Sequence, residues 1–79
     1  RAELAPLKKE ITDAEKKMTR LRTEIDKIDA QLADPKVYNG PPDKVIALGK
    51  DKARFSNELE VLEEKWLELS AALEEAEKA

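Results

Sequence analysis

The side chains best suited to contacting a phosphate or a base gather in one short stretch. Lys36, Lys44, Lys50, Lys52 and Arg54 face only Asp34, Asp43 and Asp51 there, so residues 34–54 carry a net +2 in a chain whose net charge is −3. Lysine and arginine neutralise phosphates, and an aromatic ring such as Tyr38 offers a face on which a base can stack. The candidate nucleic-acid-binding set is therefore Lys36, Tyr38, Lys44, Lys50 and Arg54. The competing reading is an ordinary solvated tip, in which Val37 and Tyr38 fold back to shield apolar neighbours. Any binding is expected to be weak and to fade with salt, because an isoelectric point near 5.0 is far from that of a dedicated nucleic-acid domain.

Catalysis finds no footing. The chain has no histidine and no cysteine, and its two glycines, Gly40 and Gly49, are isolated, so no glycine-rich phosphate loop exists. The abundant carboxylates fall on solvated positions, without the burial that general acid–base work requires. No catalytic and no metal-ligating residue is expected, and no cofactor. No run approaches the ~20 apolar residues of a membrane span, and no signal-peptide pattern opens the chain. A cytoplasmic location without membrane contact follows as the expectation. The chain opens at Arg1 and its one methionine is Met18, so it is expected to be a single domain cut from a larger protein.

Two helices must position the basic stretch. Apolar residues recur at alternating intervals of three and four through Leu4, Leu7, Ile11, Ala14, Met18, Leu21, Ile25, Ile28 and Leu32. They do so again through Val45, Leu48, Lys52, Phe55, Leu59, Leu62, Trp66, Leu69, Leu73 and Ala76. A mean period of 3.5 keeps a narrow stripe facing a partner helix, which is the pattern of a coiled coil. Lys52 is the one charged residue on these stripes; its stem is expected to run along the seam with its ammonium in water. Trp66 falls on the stripe and reads as a core anchor. Pro35 ends the first helix, Asn39-Gly40 makes a turn, and Pro41 or Pro42 suits the first turn of the second helix with Asp43 at its positive end. The prediction is an all-α, two-helix antiparallel coiled-coil hairpin, with helix 1 at about 5–33, a connection at 34–41 and helix 2 at about 41–78.

Charge supports the antiparallel direction. Residues 1–22 hold seven basic and four acidic side chains, whereas residues 55–79 hold two basic and eight acidic. A hairpin lays these stretches side by side, so the basic cluster Lys8, Lys9, Lys16, Lys17, Arg20 and Arg22 is expected to complement the acidic end of helix 2. A monomeric hairpin is the expected state. Two registers fit the seam. The preferred one pairs Leu32 with Leu48, Ile25 with Phe55, Met18 with Leu62 and Ala14 with Trp66, setting the smallest seam residue of helix 1 against the largest of helix 2. The other slides helix 2 by one heptad and sets Ala14 against Leu59.

Leu32-Ala33-Asp34-Pro35, then Tyr38, then Lys65-Trp66-Leu67-Glu68-Leu69 near the end of the second helix, resembles the C-terminal coiled-coil domain of ABC-F ATPases, the Uup type in particular. The family pattern has a Leu-Pro pair near the start and an arginine before the tryptophan. Here Ala5 precedes Pro6, and Lys65 stands in the arginine position. The resemblance implies a soluble cytosolic parent with two ATP-binding cassettes that acts on ribosomes in translation. ATP and Mg would belong to those cassettes, and this hairpin would be a non-catalytic appendage contributing to DNA or ribosomal RNA binding. A second resemblance, through Pro42-Asp43-Lys44-Val45, is to the tRNA-contacting C-terminal arm of valyl-tRNA synthetases. A purely structural or protein-docking hairpin is the third possibility.

Overall fold

The computed structural model describes residues 4–78. Helix α1 spans Leu4–Ala33 and helix α2 spans Asp43–Lys78, joined by a short 3-10 helix at Pro35–Tyr38. The two helices lie side by side in a rod of 60 × 14 × 14 Å, so the chain is an all-α helical hairpin.

The heptad stripes are the seam. Ala14, Met18, Leu21 and Ile28 of α1 are buried, and the remaining stripe positions of both helices are half-buried. Two helices alone cannot enclose a core: every seam side chain has one neighbouring helix on one side and water near the other. Helix α2 accordingly has no fully buried residue.

Two interhelical bonds fix the register. Trp66 Nε1 donates to Glu15 Oε2 at 3.1 Å, and Lys52 Nζ meets Asp29 Oδ1 at 2.6 Å. Asp29 lies two heptads after Glu15 and Lys52 two heptads before Trp66, so both bonds belong to one antiparallel alignment. That alignment sets Trp66 beside Ala14, the register in which the largest and smallest seam residues meet. The Lys52 ammonium, expected in water, is paired with Asp29. Both side chains remain nearly half exposed, and such a pair contributes only about 0.2–1 kcal/mol. Its clearer effect is on alignment, since a slide of one heptad would separate the partners.

The α1 cations behave differently from expectation. Among the described residues, no ion pair joins Lys8, Lys9, Lys16, Lys17, Arg20 or Arg22 to an acid of α2. Lys17 shares a depression beside the seam with Lys65 and with Glu10 and Asp13 of its own helix, while Arg22 and Glu63 line another without forming an ion pair. The attraction between the basic and acidic stretches is thus diffuse. Diffuse attraction still favours the antiparallel direction, but it builds no contacts.

Candidate nucleic-acid interface

The connection has more structure than a loop. Asp34 has left helical geometry (φ −80°, ψ 118°), as the following Pro35 requires. Its carboxylate accepts from the Lys36 N–H at 3.0 Å, and its carbonyl accepts from the Val37 N–H at 3.1 Å. This is the capping chemistry of an aspartate, with a proline just behind it whose missing N–H costs nothing at a helix start. Lys36 and Tyr38 are thereby held on one tight turn.

Tyr38 closes the tip from the other side. Its hydroxyl donates to the Leu32 carbonyl at 2.6 Å, satisfying one of the acceptors that the last turn of α1 leaves open. The residue is still 56% exposed, while Val37 beside it is half-buried. The apolar shielding of the seam end therefore falls to Val37, and the phenol acts as a latch. Helix α2 begins at Asp43, two residues later than expected: Pro42 supplies the first helical acceptor, to the Ile46 N–H at 3.0 Å, and stands just outside the helix. Asp43 then occupies the first turn, at the positive end of the helix.

The candidate residues separate into two groups. Lys36 and Lys44 line one shallow depression at the tip, together with Gln31, Asp34 and Val37. Lys50 and Arg54 stand one turn apart on the outermost face of α2, both exposed. By helix geometry Lys50 is about 9 Å further along the axis than Lys44 and about a third of a turn around it. Arg54 is the most engaged of the set. Its Nη2 lies 3.5 Å from Asp51 Oδ1, and its guanidinium sits over the Phe55 ring, 4.8 Å from the centroid. A phosphate would have to compete with both. Lys36, Lys44 and Lys50 form no ion pair among the described residues.

Asp34 was missed as a contributor from the sequence, although it organises the tip. The signal was present in Asp-Pro, since an aspartate readily hydrogen-bonds the backbone two residues on. No helix of the described residues is long and apolar enough to cross a membrane.

No curated protein and no solved structure matches this chain. The family model for the ABC transporter C-terminal domain matches residues 6–71, which takes in most of the seam, the Asp34–Tyr38 turn and Trp66. Of the two resemblances seen in the sequence, the match agrees with the first. Spanning most of the hairpin, it means that the chain belongs to the ABC transporter C-terminal domain family.

Proposed function

We propose that this hairpin is the C-terminal appendage of a soluble, cytoplasmic ABC-F ATPase of the Uup type, and that its tip contributes to binding DNA or ribosomal RNA. The two ATP-binding cassettes, with their ATP and Mg, belong to the rest of the parent, and the hairpin is non-catalytic. The observation that carries this reading is the tip geometry: Lys36 and Lys44 line one depression, near a tyrosine that is 56% exposed and whose hydroxyl is anchored. Lys50 extends the positive surface along α2, and Arg54 adds to it after giving up Asp51.

The action is mechanical and electrostatic. A rod 60 Å long carries the tip away from the ATPase body, and the anchored ring meets a base without first losing rotational freedom. With about three phosphates neutralised, the logarithm of affinity should fall with the logarithm of salt at a slope of roughly −2 to −3. Such a contact is weak alone and becomes useful when the parent holds the hairpin near its target.

The test is fluorescence anisotropy with labelled duplex DNA and, separately, a ribosomal RNA stem, at low and moderate salt. Lys36→Glu combined with Lys44→Glu should weaken binding by about tenfold or more with helicity unchanged, and Lys50→Glu alone by a few fold. Reversing Lys44, Lys50 and Arg54 together should abolish it. Undiminished binding in the double variant would overturn the tip assignment and move the interface to the unpaired α1 cations.

A further inference from the structure

The two long sides of the rod differ in character. One is densely charged beside the seam, with Lys17, Arg20, Glu24, Glu58 and Lys65. On the other, α1 brings the charged Glu15 and Arg22, while α2 presents Ile46, Gly49, Ala53, Ser56, Leu67 and Ser70, interrupted by Glu60 and Glu63. Ile46 and Leu67 there are 53% and 61% exposed. On this side Met18, Trp66 and Leu67 floor a groove of about 430 Å³, rimmed by Glu15, Arg22 and Glu63.

We infer that this groove receives an amphipathic α-helix of a protein partner, apolar along one stripe and basic on its flanks, which completes a three-helix bundle. The shape selects a helix: the groove runs between two antiparallel helices, and a third helix nests in such a channel with its apolar stripe inward. The seam has room for one, because α2 buries no residue completely and Trp66 keeps an exposed edge toward the groove. Charge selects the flanks. Glu15 and Glu63 on the rim, with Glu60 one turn before Glu63, outnumber Arg22, so the groove draws lysine or arginine. A second copy of this hairpin would bring the same acidic excess to the contact and is disfavoured as the occupant. The inference is independent of the tip and of nucleic acid.

The chain's single tryptophan lies in this groove and reports on it directly. The experiment titrates the hairpin with a synthetic helix of about 18 residues, leucine on the seam positions and lysine elsewhere, long enough to cover roughly 27 Å, and follows Trp66 emission. Saturable movement of the emission to shorter wavelength is expected, as the indole leaves water. Leu67→Glu and, separately, Glu63→Lys should each weaken binding by about tenfold with helicity unchanged, whereas Val61→Glu, exposed away from the groove, should have no effect. The proposal is overturned if the emission does not move, if a leucine and glutamate helix moves it equally, or if Leu67→Glu and Glu63→Lys both bind as before. It is also overturned if the emission moves with hairpin concentration alone while sedimentation reports a dimer, which would assign the groove to a second copy.

Discussion

Trp66 and Tyr38 each donate one hydrogen bond to α1, yet they hold the hairpin in different ways. The indole reaches Glu15 across 51 positions of sequence, and the phenol reaches Leu32 across six. Trp66 is half-buried in the seam and fixes how far one helix slides along the other. Tyr38 is mostly exposed and fixes only the local path of the turn. The waist is thus built from tertiary contacts that exist only when both helices are docked. The tip is built from bonds within a few residues, through Asp34, Lys36 and Tyr38. A ring anchored by a local bond can be offered to a ligand at little cost to the fold, whereas a ring in the seam cannot.

The largest effects should come from the waist. Leu21→Ala empties a buried seam position and should cost roughly 2–4 kcal/mol in denaturant unfolding, a large share of what so small a domain holds. Leu62→Ala, at a half-buried position on α2, should cost clearly less; equal costs would mean that the two helices share the core evenly. Trp66→Ala should cost about 2–3 kcal/mol, below the roughly 3–5 kcal/mol of fully buried large aromatics because the indole is only half-buried. At the tip, Tyr38→Phe removes the bond to Leu32 and should cost about 0.5–1.5 kcal/mol, seen as faster amide exchange in residues 34–39. Tyr38→Phe should keep most nucleic-acid affinity, since the ring remains, while Tyr38→Ala should lose more. Lys52→Met is the smallest: the lost pair with Asp29 is nearly half exposed and a methionine suits a seam position, so stability should change by less than about 0.5 kcal/mol.

The seam was legible because a period of 3.5 is a property of the chain itself, and every position on the two stripes is buried or half-buried. The register was legible in part, through the volume match of Ala14 and Trp66. What the sequence concealed depends on neighbours. The 3-10 turn rests on the Asp34 carboxylate finding the Lys36 N–H, a geometric coincidence that composition does not announce. The missing ion pairs of the α1 cations are a matter of individual side-chain placement, which net charge over 22 residues cannot resolve. The candidate site shows the same split. Lys36 and Tyr38 were tied to the turn by proximity in sequence, whereas the separation of Lys50 and Arg54 from Lys44 appears only on the helix surface. The engagement of Arg54 by Asp51 and Phe55 was available from spacing, since Asp51 lies three positions before it.

Nucleic acid should meet the tip and leave the seam and the α1 cations alone. Amide-resolved NMR of the hairpin, titrated with duplex DNA and then with a ribosomal RNA stem at low and moderate salt, tests it residue by residue. Shifts should be confined to residues 34–54, be strongest around Lys36, Tyr38 and Lys44, and shrink as salt rises. Shifts running along Lys8 to Arg22 instead, or none with either ligand, would contradict a tip interface.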